Sequence, residues 1–258
     1  MLNFRNTNIL FIVLFLSLVA IQYYKGFDIS WFIALVLVYS AVLFYGSFYI
    51  RSNFFLTSFS GKKTNEKIIA LSFDDGPSAE YTPQILDILR EYGTPATFFV
   101  IGENVEENKS ILQQISTAGH LIGNHTFFHS NWFDLQPAKK MQEEMQQTQS
   151  LMHQITGKQM NWFRPPYGVT NPNVKKAVKG MGYHTIGWNL RSFDTMIKDP
   201  AKLLSRLKSM IKPGAVILLH DTQKVTSEVL PAFLQFVKEQ QYSVVPLDKL
   251  LDLQAYKN

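Results

Sequence analysis

Cysteine is absent from the 258 residues, which removes two devices at once. No disulfide staples the fold, and no thiolate holds a metal ion. The redox compartment stays open for the same reason. Charge is scarce too, at 17% of residues, and it is scattered. The net charge of +5 shrinks to 22 Lys/Arg against 19 Asp/Glu once Arg5, Lys25, Arg51 and Asp28 are set aside. No block of cations suited to a phosphate backbone remains, so nucleic acid is not an expected partner. Internal repeats and low-complexity tracts are also missing, which excludes solenoids and arrays. What is left is a chain 46% apolar, enough for one large core and a smaller appendage.

Charge is missing altogether from Asn6 to Tyr24 and again from Ile29 to Ile50. A spanning helix needs roughly 20 apolar residues, so both runs qualify, the first only just. Tyr23, Tyr24, Trp31, Tyr45 and Tyr49 lie toward the run ends, as interfacial aromatics do. No small-x-small cleavage site follows the first run, and the second run comes directly after it. A two-helix membrane hairpin is therefore expected over 1–51, with helices at about 8–24 and 29–50, rather than a cleaved signal peptide. The rival is a single signal anchor followed by an interfacial helix. Either way the lipid bilayer is an expected partner, with two spans at the cell membrane as the first reading. The positive-inside rule, applied to Arg5, Arg51, Lys62, Lys63 and Lys67, favours a cytoplasmic domain on only a few charges, and the side is left open.

Residues 52–66 are polar, contain Gly61 and read as a linker to a domain over 67–258. From Lys67 on, strand-like and helix-like segments alternate. Strands are expected in KIIALSF, ATFFVIG, HLIGNHT, at the start of NWFRPPYG, and in HTIGWNL, AVILLHD and YSVVPL. Helices are expected at Glu80–Tyr92, Val105–Ala118, Pro137–Ile155, Val174–Met181, Ala201–Ile211, Val225–Gln240 and at the C-terminus. In the first of them Ile85, Leu86, Ile88 and Leu89 form a helical stripe closed by Gly93. About seven strand–helix repeats in roughly 190 residues are too few for an eightfold barrel. They imply a parallel sheet, open or closed into an irregular barrel.

The chemistry-bearing residues fall at the ends of those strands. Ile69-Ala70-Leu71-Ser72-Phe73 runs into Asp74-Asp75-Gly76-Pro77. Two adjacent carboxylates repel unless a cation separates their roles, one binding the ion and the other staying free as a base. A solvated turn is the alternative. His125-Thr126-Phe127-Phe128-His129 is a His-x-x-x-His pair that, on one helical turn, brings both imidazoles to one ion. No Glu follows the first His, so the zinc-peptidase signature is missing, and a polar helix start is the alternative. Arg164-Pro165-Pro166-Tyr167-Gly168 offers a guanidinium that can pair with a carboxylate and a backbone stiffened by two prolines. A structural Pro-Pro turn is the alternative. His220 ends an apolar strand as a candidate acid, and Asp194 is a natural partner to orient a histidine. His120, His153 and His184 have no evident partners.

In their order these segments resemble the polysaccharide deacetylase family, also called the NodB-homology or carbohydrate esterase family 4 domain. SFDDGP matches the first motif, HTFFH the second and RPPYG the third. The stretch from Trp188 to Asp194 corresponds to the fourth, and Leu218-Leu219-His220 to the fifth; the match covers about residues 66 to 250. The resemblance implies an α/β fold, a deformed (β/α)7 barrel of NodB type, here preceded by the two-helix hairpin. It implies a divalent ion on Asp75, His125 and His129, usually Zn²⁺, with Co²⁺ or another divalent ion as alternatives. Asp74 matches the catalytic base, Arg164 its ion-pair partner, and the Tyr167 N–H an oxyanion donor. His220 matches the general acid supported by Asp194, and Leu218 a wall of the acetyl pocket. The fourth motif departs from the family pattern. Thr195 follows Asp194 where Trp is common, and Arg191 stands where an acid is frequent, which leaves the groove wall and substrate preference open. The implied activity is removal of N-acetyl groups from N-acetylhexosamines in a glycan: peptidoglycan, a chitin-like oligomer or a surface polysaccharide. The alternatives are a deacylase or deformylase of a lipid-linked aminosugar at the membrane face, and a membrane-anchored glycan-binding pseudoenzyme.

Overall fold

The computed structural model describes residues 3–26 and 28–257. Met1, Leu2, Phe27 and Asn258 lie outside the described residues, and with them the outermost ends of the expected hairpin and domain and the third residue of the helix connection.

Two apolar helices come first, α1 (Phe4–Lys25) and α2 (Ser30–Phe48). Helix α1 starts earlier than expected because Asn3 caps it, its side chain accepting the Asn6 N–H at 2.9 Å. Helix α2 stops at Phe48, and Ile50–Ser52 turns away as a short 3-10 helix. The pair is held by Tyr39, which stacks on Phe11 at 4.2 Å and donates to Asn8 Oδ1 at 2.7 Å. Most of their apolar side chains face outward, among them Leu16 at 60% and Leu37 at 64% exposure. A core helix would bury these residues; both helices are long and apolar enough to cross a membrane.

The rest is built on one parallel sheet. Its strands are β1 (Ser58–Phe59), β2 (Ile68–Asp74), β3 (Thr97–Val100), β4 (Leu121–Asn124), β5 (Trp162–Phe163), β6 (His184–Ile186), β7 (Leu190–Arg191), β8 (Ala215–His220) and β9 (Ser243–Val244). Their spatial order is β1-β6-β5-β4-β3-β2-β8-β7, with β9 added to β2, and every ladder is parallel. Helices α3 (Thr82–Glu91), α4 (Gly102–Glu107), α5 (Lys109–Thr117), α6 (Ala138–Thr156), α7 (Pro172–Met181), α8 (Pro200–Met210) and α9 (Lys224–Glu239) join the strands, and α10 (Leu247–Leu251) comes last. This is the expected α/β architecture, a curled half-barrel. Its two edges approach through a lone bridge, Gly61 to Ala215, instead of a ladder.

Strands covered on both faces explain the near-continuous apolar runs. Ile69, Leu71, Phe73, Phe98, Val100, Ile217 and Leu219 pack outward under the helices. Alternate residues, Ala70, Phe99, Trp162, Ile186 and Val216, turn inward and meet Leu247 and Leu250 of α10. The barrel interior is thus apolar at its lower end, which α10 plugs.

Three expectations need correction. Residues 52–66 are not a plain linker: Ser58 and Phe59 pair with Thr185 and Ile186, and Phe54 and Phe55 are buried. A two-residue strand is too short to leave a periodic signature. The helix expected over Val105–Ala118 is two helices that part at Asn108, where the side chain reaches the Pro77 and Asn104 carbonyls. HTIGWNL is two strands, because the chain leaves the ladder at Gly187 and rejoins beside β8 at Leu190.

Phe98 stacks on Phe73 at 5.1 Å in the outer core and is fully buried. Phe98→Ala is expected to cost about 3–5 kcal/mol, read as a lowered thermal midpoint of the full chain in detergent.

Candidate active site and metal centre

Residues two apart on a strand share a face, so Ser72 and Asp74 continue inward above Ala70, and Leu218 and His220 above Val216. The β2–β8 register sets Asp74 beside His220. The interior therefore changes from apolar to ionisable at the C-terminal ends of the strands, the end where such folds bind ligands.

Arg164 follows β5 and is fully buried. One Nη1 donates to Asp74 Oδ1 at 2.6 Å and to Ser72 Oγ at 2.9 Å. Nε and Nη2 reach the Ile186 and Gly187 carbonyls, and the guanidinium lies 4.0 Å from the Phe99 ring centre. Burial lowers its pKa, against the opposing pull of Asp74; a guanidinium stays charged throughout.

Asp194 is buried and collects His220 N–H at 2.7 Å, Thr226 Oγ1 at 2.7 Å, Ser192 Oγ at 2.8 Å and Thr195 N–H at 3.1 Å. Burial alone would raise its pKa; the His220 imidazole first, then the Thr226 and Ser192 hydroxyls, bring it below the usual carboxylate value. Its Oδ1 also meets His220 Nδ1 at 2.7 Å. That contact makes Nδ1 the protonated nitrogen and aims Nε2 into the site, 3.9 Å from Asp75 Oδ2. Burial works against a charged His220, but Asp194, with Asp75 and Asp74, outweighs it and lifts the pKa to about 9.

Asp75, His125 and His129 present three ligand atoms within 4.8 Å of one another. His125 Nε2 and His129 Nε2 lie 3.4 and 3.5 Å from Asp75 Oδ1. The His125 Nδ1 sits 2.7 Å from the Arg164 carbonyl. A carbonyl only accepts, so Nδ1 carries the hydrogen and Nε2 offers a lone pair. Burial, with the neighbouring His125, lowers His129 to about 4, leaving it neutral. Asp75 is held low by the three imidazoles in spite of its burial. Its Oδ1 is buried without a hydrogen-bond partner. An orphaned carboxylate oxygen facing two imidazole lone pairs is a donor set that fits a divalent ion of the zinc type.

The histidine pair does not sit on a helical turn, as the spacing suggested. Thr126 and His129 have φ of 68° and 49°, and the loop folds back on itself. Asn124 accepts the Thr126 N–H, Thr126 Oγ1 accepts the His129 N–H, and Thr148 Oγ1 donates to the Thr126 carbonyl. Tyr167 is also left-handed at φ 57°, with its ring edge-on to His129 at 4.9 Å and its hydroxyl donating to Asn131. Leu218 is buried, one register step below His220 on the same face. All nine residues singled out from the sequence are thus found at one end of the barrel.

Sequence reasoning passed over Ser72, Asn124 and Asp221. Asp221 is fully buried and accepts from Thr82 Oγ1 at 2.6 Å. Burial, with the charge of Asp75, pushes it up to about 7. It fills the space beside Gly76, where any Cβ would run into its carboxyl group. Its one sequence signal was the position next to His220. Arg191 faces the Trp188 and Phe193 rings at 5.9 and 5.0 Å.

A family model described as polysaccharide deacetylase matches residues 61–186. The peptidoglycan-N-acetylmuramic acid deacetylase PdaA of Bacillus subtilis is 35% identical over 192 residues, 73% of this chain and 73% of the relative. A peptidoglycan-N-acetylglucosamine deacetylase of Bacillus cereus is 36% identical over 195 residues, 72% of this chain and 89% of the relative. Among solved structures BA3943 of Bacillus anthracis, described as a CE4 family pseudoenzyme, matches with a TM-score of 0.70 and 31% identity, over 75% of this chain and 68% of that one.

Asp75→Ala, His125→Ala and His129→Ala are each expected to abolish retention of a divalent ion through dialysis. Elemental analysis should find about one ion per unsubstituted chain; full occupancy in any variant would remove that residue from the ligand set.

Proposed function

This chain belongs to the polysaccharide deacetylase family, and on that premise we propose that it is a metal-dependent hydrolase that removes N-acetyl groups from N-acetylhexosamine units of a glycan, peptidoglycan first. The observation that carries the reading is the orphaned Asp75 Oδ1 between two imidazoles, with an Arg-paired carboxylate and an Asp-oriented imidazole on either side.

A divalent ion on Asp75, His125 and His129 would polarise the acetamide carbonyl and acidify a water toward neutral pH. Asp74, fixed by Arg164, takes the proton of the attacking water. The Tyr167 N–H, on a backbone stiffened by Pro165 and Pro166, donates to the carbonyl oxygen as it becomes an oxyanion; one such donor is worth about 3 kcal/mol. His220, kept protonated by Asp194, passes its Nε2 proton to the departing amine as the C–N bond breaks. Leu218 supplies an apolar wall for the acetyl methyl. Exposed Trp132, and Tyr167, whose hydroxyl donates to Asn131, the residue before Trp132, offer flat surfaces for sugar rings.

The second reading is a deacylase of a lipid-linked aminosugar at the membrane face. It is favoured by the docking of α2 next to the site. The Thr170 N–H bonds the Ser47 carbonyl at 3.0 Å, and its hydroxyl bonds that of Gly46 at 3.3 Å, three residues beyond Tyr167. We read α1 and α2 as membrane spans on their length, composition and outward apolar faces. A glycan-binding pseudoenzyme is the reading from another class, and the description of the Bacillus anthracis relative keeps it in view; the complete set of ligands, base and acid speaks against it.

The full chain is expected to release acetate from peptidoglycan fragments in a chelator-sensitive reaction. Formate from a formylated lipid-linked aminosugar would move the assignment to the second reading, and no release from either to the third. Asp74→Asn should keep its ion and lose about 10²–10⁴ in kcat; an active Asp74→Asn protein would refute the base. Because His220 must be protonated, activity should fall as pH rises toward about 9. The limb lies somewhat lower with an ion on Asp75, which cancels that carboxylate's share. Asp194→Asn should bring it down by about 1–3 pH units, measured as kcat/KM against pH.

A further inference from the structure

A second cavity lies outside the barrel, where the hairpin meets the domain. It measures about 690 Å³ and is bounded by the start of α1, the Phe54–Phe59 stretch, and one side of α7 with the start of β6. The Phe4 N–H bonds the Phe54 carbonyl at 3.0 Å, and the Phe4 ring packs on Phe55 at 5.0 Å. This wall is apolar, with Phe54 and Phe55 buried in it.

The charge lining the cavity has one sign: Arg5 beside Phe4, with Lys175 and Lys179 on α7, and among the described residues no Asp or Glu. Lys175 and Lys179 are four apart on α7 and share a face. Among the described residues, none of the three cations has a carboxylate within 4.0 Å. One turn further along α1, Ile9 and Leu10 are already outward-facing and half exposed. The cavity thus pairs unpartnered cations and an aromatic wall at the level where an apolar helix leaves the domain.

We infer that this cavity is a binding site for the phosphate headgroup of an anionic phospholipid, whose acyl chains run along α1 and α2. The inference rests on the reading of the helices as membrane spans. A soluble phosphate satisfies the cations alone; only an amphiphile satisfies the cations, the aromatic wall and the adjacent apolar helix surface together. The site is separate from the catalytic one, which opens inside the barrel.

The test uses the full chain in vesicles of phosphatidylcholine mixed with phosphatidylglycerol, extracted in detergent and weighed by native mass spectrometry with its retained lipid. The unsubstituted chain should carry phosphatidylglycerol in preference to phosphatidylcholine. The triple variant Arg5→Gln/Lys175→Gln/Lys179→Gln should lose that preference by on the order of 100-fold, at roughly fivefold per cation. The charge-matched control Lys139→Gln/Lys140→Gln/Lys176→Gln should keep it, and both should keep the hydrolytic activity of the parent in detergent as proof of folding. Equal loss in the control would make the effect diffuse surface charge and overturn the site. So would displacement of the lipid by glycerol phosphate at the same concentration, or no preference in the parent. Alkaline extraction separates the two readings: a chain released from the vesicles overturns membrane spanning and the lipid site with it. A chain retained without lipid preference overturns the site alone.

Discussion

Arg164 and Asp74 are both withdrawn from water, 2.6 Å apart at the centre of the barrel mouth, and neither charge is tolerable there without the other. Breaking such a pair typically costs about 3–5 kcal/mol, whereas the intact pair adds little net stability over an apolar filling. Its value is positional. The guanidinium ties β2 through Asp74 and Ser72 to the carbonyls that end β6. The Arg164 backbone carbonyl, meanwhile, turns the His125 ring. One residue thereby orients the proposed base with its side chain and a proposed metal ligand with its main chain. A substitution at Arg164 removes the guanidinium and keeps the carbonyl, so it acts on the proposed base and leaves the contact to His125 in place.

The same region holds its backbone in uncommon shapes. Eight non-glycine residues among those described have positive φ, and five of them, Asp75, Thr126, His129, Tyr167 and Phe193, carry or flank the site. Each such residue costs on the order of 1–3 kcal/mol and persists only where its surroundings over-determine it. Here they do. Asn124, Thr148 and Glu144 hold the histidine loop by hydrogen bonds to its backbone. Asp221, anchored by Thr82, fills the space beneath Gly76. The residues proposed as ligands, fixed in this way, need little rearrangement to receive an ion, which is how packing energy would reach the proposed catalysis.

The hairpin is not tethered loosely. Gly46 leaves room for the Phe54 ring, which a Cβ would strike, and Ile50, Phe54 and Phe55 are buried between helices and domain. Thr170 then bonds the last turn of α2 just beyond the Tyr167 turn. A domain docked through its own sheet and its own site loop keeps one orientation toward the helices. For helices that span a bilayer, that orientation sets how the mouth meets a glycan strand or a lipid-linked sugar.

Features set by contiguous residues were legible before any coordinates. Two uncharged runs became α1 and α2, and the alternation of strand and helix patterns became a parallel, curled sheet. Tertiary structure alone decided the rest. It chose the register that sets Asp74 beside His220 and recruited Ser58–Phe59 from an apparent linker. It also bent HTFFH out of the helix its spacing suggested and buried Asp221 against Gly76. The physical reason is the range of the interactions. Periodicity of 2 or 3.6 residues is a local property of the chain, while the Arg164–Asp74 pair joins residues 90 apart and Thr82–Asp221 residues 139 apart. Contacts at such separations leave no periodicity in the chain: the first was expected only through the family resemblance and the second not at all, and both are satisfied only once the sheet has curled around them.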